Sequence, residues 1–260
     1  MQVADVLSRL RALSDPKVQA ALERAGSHPR SALGVSATDL RKLADEIGVD
    51  RLIAQQLWAS GIHEARLLAS LIDDPERVTS KQMERWVRDF DTWDLCDACC
   101  ENLFHKTPFA FGKVSTWSAR REEYVKRAAF SLLASLAAHD QSSPDSEFLR
   151  FLPVVVREAG DERPLVRKAI AAALRQVGLR KATLRKAALQ TVAELDGHES
   201  RSARLIAAEA GRELSGNSGK PAAKQSAPKK KAGGKKPGSK AARKKSPNRK
   251  KTAKKRSARS

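Results

Sequence analysis

The run Asp161-Glu162-Arg163-Pro164-Leu165-Val166-Arg167-Lys168-Ala169 decides the fold, because its last four residues echo Val125-Lys126-Arg127-Ala128 at a distance of 41 residues. Each copy opens an Ala/Leu-rich stretch, Ala128–Ala138 in the first and Ala169–Val177 in the second. Each follows a helix-start signal: Ser118 upstream of the first copy, Asp161 with Pro164 upstream of the second. Ser146–Glu158, between them, has the length of one partner helix. The unit is therefore a pair of helices, repeated about every forty residues.

Working outward, the rest of the body keeps the same rhythm. Val3–Leu13 places apolar residues at 3, 6, 7, 10 and 13, a helical period. Asp15-Pro16 starts a second helix that runs to about Ala25, and Gly26–Gly34 reads as a loop. Further helices are predicted from Asp39 to near Gly48 and over Asp50–Ser60, Ile62–Ile72 and Thr79–Asp89. In the second of these Leu52, Ile53, Gln56 and Leu57 are expected to face inward; in the last, Met83, Trp86 and Val87 share a face. No stretch alternates with period two, and aromatics make up only 5% of the chain, which argues against strands. Paired helices recurring at this spacing are the mark of HEAT and armadillo arrays. The expectation is an all-α, curved solenoid of HEAT-like helical repeats over 1–215, with a concave surface.

The net charge of +20 is unevenly placed. Residues 216–260 hold 18 of the 50 Lys and Arg and no Asp or Glu, so 1–215 is nearly neutral, with 32 basic against 30 acidic residues. The tail lacks Leu, Ile, Val and aromatics, and is expected to be disordered. Its lysines, Lys229, Lys230, Lys231, Lys244, Lys245, Lys250 and Lys251 among them, suit a phosphate backbone through counterion release, without reading sequence and with RNA as open as DNA. Ser246-Pro247-Asn248-Arg249-Lys250 is similar to a linker-histone tail. Deleting 216–260 is expected to weaken DNA binding and flatten its salt dependence without unfolding the body; an unchanged slope of log K against log salt would contradict this.

Three cysteines cluster at Cys96, Cys99 and Cys100, too close on one helix to bridge well. With His105 as the nearest other ligand, buried free thiols are a better account than zinc. Met1–Leu13 lacks the pattern of a signal peptide, and no apolar run approaches a membrane span. The expected setting is cytoplasmic and DNA- or nucleoid-associated, or nuclear in a eukaryote.

The chemistry-bearing stretch is Asp91-Thr92-Trp93-Asp94-Leu95-Cys96-Asp97. On a helix Trp93 and Asp97 are one turn apart on the same face, with Leu95, Cys96, Cys99 and Leu103 behind them. Arg127, Arg167, Lys168 and Arg175 fall at or near the starts of the repeat helices, where a shared inner face makes a cationic groove.

Leu57-Trp58-Ala59-Ser60-Gly61-Ile62-His63-Glu64-Ala65-Arg66, the Trp93–Asp97 motif and Lys168-Ala169-Ile170-Ala171-Ala172-Ala173-Leu174-Arg175 together resemble the DNA alkylation repair family, the AlkD-like HEAT-like-repeat DNA glycosylases, over about 30–195. The resemblance implies Asp97 as the catalytic carboxylate, Trp93 against the deoxyribose and Arg127 on the DNA backbone. Lys126, Arg167 and Arg175 follow as further backbone contacts. It implies removal of cationic N-alkylated purines such as 3-methyladenine and 7-methylguanine from duplex DNA, by a monomer, with no cofactor. The chain departs from the pattern in two places. Ala172 stands where the family commonly has a second Trp, and Leu33 precedes Gly34-Val35 where an aromatic is common. The departures keep two alternatives open: a non-catalytic protein that binds DNA structures or chromatin, and a helical scaffold for a protein partner.

Overall fold

The structure, a computed structural model, describes residues 2–216. They form α1 (Val3–Ala12), α2 (Pro16–Arg24), α3 (Ala37–Ile47), α4 (Arg51–Ala59), α5 (His63–Ile72), α6 (Ser80–Arg88), α7 (Trp93–Asn102), α8 (Ala110–Ser118), α9 (Glu123–His139), α10 (Asp145–Leu149), α11 (Leu152–Glu158), α12 (Pro164–Arg180), α13 (Ala182–Asp196) and α14 (Arg201–Gly216). Among the described residues there is no strand, and no helix is long and apolar enough to cross a membrane. The repeats are HEAT-like, in two layers.

The inner layer runs α3, α5, α7, α9, α12, α14, each packed on the next. Side-chain bonds fix its register. His63 meets Asp94 near the starts of α5 and α7, and Ser70 meets Asn102 near their ends. Asp97 meets Arg127 and Ser131, and one turn later Glu101 meets Ser135 and His139. Arg127 reaches Leu165, whereas Arg180, at the other end of α12, reaches Asp140 and Ser143. Bonds that advance together along both partners mean parallel helices. The N-termini of α5, α7, α9, α12 and α14 therefore lie along one edge.

The outer layer is held largely by aromatics. Trp58 on α4 stacks on Trp86 of α6, with centroids 3.8 Å apart and planes 3° from parallel. Glu84 on α6 accepts from Lys113 Nζ (2.6 Å) and Trp117 Nε1 (2.7 Å) of α8. Phe111 of α8 packs on Phe148 and Phe151. Between the layers lies one continuous apolar core in which Cys96, Cys99 and Cys100 are buried free thiols, their pKa values pushed up by burial.

Three expectations need correction. Ser118 ends α8 rather than starting α9, whose N-cap is Glu122. Ser146–Glu158 is two helices, because Pro153 has no N–H to continue the ladder and its ring clashes with the carbonyl four residues back. Leu52 is 77% exposed and Gln56 is exposed too; α4 buries Ile53, Ala54, Leu57 and Trp58, a face rotated by one residue to meet α6.

The 26–34 loop is pinned to the inner layer by Glu64, which is 2% exposed. Its carboxylate accepts the backbone N–H groups of Leu33 (2.8 Å), Gly34 (2.6 Å) and Val35 (3.3 Å). Gly34 has φ +79°, and a Cβ there would lie 2.4 Å from the Asp15 carbonyl oxygen, so no other residue fits. Leu33 thus serves through its backbone.

Candidate nucleic-acid interface

Trp93 is the first residue of α7 and Asp97 lies one turn on, both half-buried and both facing the start of α9. There Arg127, 6% exposed, bridges them. Its Nε donates to Asp97 Oδ1 (3.0 Å) and its Nη2 to Oδ2 (2.6 Å), the planar two-pronged geometry that suits a carboxylate. The guanidinium carbon stands 5.8 Å from the centre of the Trp93 ring. Nη1 donates to the Leu165 carbonyl (2.6 Å), which ties the pair to α12. Ser131 Oγ donates to Asp97 Oδ1 (2.6 Å). Burial works against the Arg127 charge, and the Asp97 carboxylate beside it outweighs that, so the guanidinium pKa lies above its ordinary value.

The Asp97 side chain is held by three hydrogen bonds yet remains 38% exposed. It opens into a cleft of about 410 Å³ lined by Arg41 of α3, Asp97, Glu101 and Asn102 of α7, Ser131 and Ser135 of α9, and Gln176 of α12. One cleft touching four inner-layer helices is the concave surface that the repeat pattern predicts. A carboxylate has about four lone-pair sites, and Asp97 uses three, so one stays free for water or a ligand. Among the described residues no group of three or more His, Cys, Asp or Glu side chains is arranged to hold a metal.

The predicted phosphate contacts fare differently from one another. Arg127 faces inward and commits three donors to Asp97 and Leu165. Lys126 also turns into the protein: its Nζ lies 2.8 Å from Glu158 and 3.2 Å from Asp161, and only 13% of its side chain is exposed. The reading of Lys126 as a free backbone contact is corrected on that ground, since a cation already neutralised by two largely buried carboxylates has little charge left for a phosphate; Arg127 is engaged too, but by an Asp97 that is still 38% exposed. Arg163 holds Asp161 at a pKa of about 2, against the opposing effect of burial, with Lys126 adding to it. Arg175 pairs with Glu213 (2.8 Å) and is 30% exposed, so it remains reachable. Arg167 is half-buried beside the start of α14. Lys229, Lys230, Lys231, Lys244, Lys245, Lys250 and Lys251, with the rest of the expected disordered tail from 217 on, lie outside the described residues; Gly216 ends α14.

Lys126→Met is expected to cost about 2 kcal/mol, because removing one partner leaves carboxylates uncompensated in a poorly hydrated site. Thermal unfolding should show a lower Tm, while the salt slope of DNA binding stays that of wild type. A changed slope with unchanged Tm would restore Lys126 as a backbone contact.

Sequence reasoning missed Ser131, Glu101, Arg41 and Gln176. Ser131 and Glu101 follow Arg127 and Asp97 by one turn, and the same spacing rule would have found them. Ala172 is half-buried one turn before Gln176, so the small side chain leaves that wall of the cleft low.

Known proteins agree with this architecture. No curated protein sequence matches the chain. A solved structure reported as "A new family of proteins related to the HEAT-like repeat DNA glycosylases with affinity for branched DNA structures" superposes with a TM-score of 0.69 at 20% identity, covering 82% of this chain and 95% of its own. The family model for "DNA alkylation repair enzyme" matches residues 6–214. With that match spanning nearly the whole described body, both layers and the Trp93–Asp97–Arg127 cluster included, the chain belongs to the DNA alkylation repair enzyme family.

Proposed function

We propose that the protein is a DNA glycosylase acting on cationic N-alkylated purines of the 3-methyladenine and 7-methylguanine type in duplex DNA. The observation that carries this is Asp97: a carboxylate fixed by Arg127 and Ser131, one turn from an indole, and still 38% exposed in an open cleft. An N-alkylated purine is already positively charged. When its bond to C1′ breaks, the base takes the electron pair and leaves neutral, with little need of an acid. The demanding charge is the one that grows on the sugar, and a carboxylate fixed beside it stabilises an oxocarbenium-like transition state. Water then adds to C1′ and gives up a proton, which the free lone pair of Asp97 is placed to accept. The role of Arg127 is to hold Asp97 in one orientation, and Trp93, behind the cleft, backs that guanidinium with its ring face. The reaction as written uses no cofactor.

An open cleft touching several helices suits a duplex laid along it better than a closed pocket for an extruded base. The cleft lining also holds two carboxylates, Asp97 and Glu101, against one cation, Arg41, which favours a cationic lesion over a bare phosphate. We take the protein to act as a monomer on DNA, in the nucleoid or in chromatin. The test is release of free 7-methylguanine from methylated duplex by wild type and by Asp97→Asn; equal release from both removes Asp97 from the chemistry.

A second reading rests on Ala172. With no aromatic on the α12 wall and none among the residues lining the cleft, DNA can be held without a base being stacked for excision. The affinity for branched DNA attributed to the structural relative fits that alternative. Tight binding of four-way junctions with no base release would favour it.

A further inference from the structure

A second cleft, of about 340 Å³, lies where the first turn of α12 faces the first turn of α14. It is lined by Glu162, Arg167, Arg201, Ser202 and Leu205. The neighbouring arginines are committed elsewhere, Arg163 to Asp161 and Arg175 to Glu213, whereas among the described residues Arg167 and Arg201 are in no ion pair. We propose that this cleft is a docking site for DNA backbone phosphodiesters, with Arg167 and Arg201 as its two cations and Leu205 against the deoxyribose. The inference rests on the reading of the protein as one that binds DNA, and extends the contact surface one helix beyond the Asp97 cleft.

Three observations converge on it. First, the Asp97 cleft is a poor place for phosphate. Two carboxylates, Asp97 and Glu101, line it against one guanidinium, that of Arg41, and the guanidinium beside Asp97, Arg127, is engaged by it. A backbone crossing the inner layer has to be neutralised elsewhere. Second, Arg127 Nη1 is bonded to the Leu165 carbonyl in the first turn of α12, and Arg167 lies two residues on. The cationic cleft is therefore the next feature along the N-terminal edge of the layer. Third, the acidic residues that occupy the first turns of α5, α7 and α9 (Glu64, Asp94 and Glu123) have no counterpart in α12 or α14. Asp161, just before α12, accepts the Arg163 N–H at that helix's end, so it is the positive end of α14, 16 residues long, that is left to add to the arginines. Glu162 at the rim limits the net charge but is outnumbered two to one. Leu205, 41% exposed, is the one apolar lining residue, too little for a protein interface and enough for one sugar face.

The test uses the full chain with the double substitution Arg167→Ala/Arg201→Ala, and Arg88→Ala on outer-layer helix α6 as the control. Binding to a methylated duplex is measured across a salt series, with phosphate-ethylation interference as the positional readout. The expected slope of log K against log salt falls by about 0.9 for each phosphate that is no longer neutralised, hence by about 1 to 2. Interference should vanish at a small set of adjacent phosphates on one side of the lesion. Arg167→Lys/Arg201→Lys should regain the slope, because counterion release follows charge. An unchanged slope and interference pattern in the double variant would overturn the proposal, as would an equal loss in the Arg88 control. These readouts do not depend on base release, so a failure of the Asp97 chemistry is told apart from a failure of this site.

Discussion

Asp97→Asn is expected to slow base release from alkylated duplex by about 100-fold or more at saturating protein, because in the proposed reaction it removes the fixed negative charge that stabilises the sugar cation. Loss of a single preorganised electrostatic partner in an active site typically costs about 3 kcal/mol of transition-state stabilisation. The substitution keeps shape and leaves one oxygen to accept from Ser131 and Arg127, so the fold should survive. DNA affinity should change little or rise slightly, since a carboxylate is removed from a surface meant to meet a polyanion. The informative pattern is a lost rate with retained binding. A parallel loss of both would point to a positional role for Asp97 instead.

The second large effect is expected at Arg127. Arg127→Met keeps most of the length of the side chain but removes the guanidinium, which is nearly buried and bonds Asp97, the Leu165 carbonyl and the Trp93 ring face. Breaking a well-buried ion pair typically costs about 3–5 kcal/mol. Asp97 keeps 38% of its side chain in water, so about 2 kcal/mol is the fair expectation, read as a fall in Tm. The rate of base release should fall nearly as far as in Asp97→Asn, because an unheld carboxylate samples many orientations. Arg127→Lys should rescue much of the stability and little of the rate, since an ammonium cannot reproduce the two-pronged fork. In a double-mutant cycle the two substitutions should be strongly non-additive in rate; additive losses would mean that they act separately.

Much of this arrangement is legible in the residues, and what is not legible has a common cause. Helical periods depend on residues three and four apart, so the helices of the body and the shared face of Trp93 and Asp97 can be read directly. The pairing of Asp97 with Arg127 joins residues 30 positions apart and depends on parallel register between α7 and α9, which no local pattern fixes. Lys126 looks like its neighbour Arg127 in sequence, but it is turned toward Glu158 and Asp161 by the packing of the next repeat. Leu52, being apolar, reads as a buried residue; the stack of Trp58 on Trp86 rotates the buried face of α4 away from it. The Arg167–Arg201 cleft joins the starts of two helices 34 residues apart in sequence, and is visible only once α12 and α14 are side by side.

The most direct test is chromatographic detection of free base after wild-type protein is incubated with duplex DNA carrying 7-methylguanine or 3-methyladenine. Release of at least one of the two above the spontaneous rate, reduced to background by Asp97→Asn, is what a carboxylate held beside the scissile bond must produce. Intact, tightly bound alkylated DNA with no base in solution would contradict it.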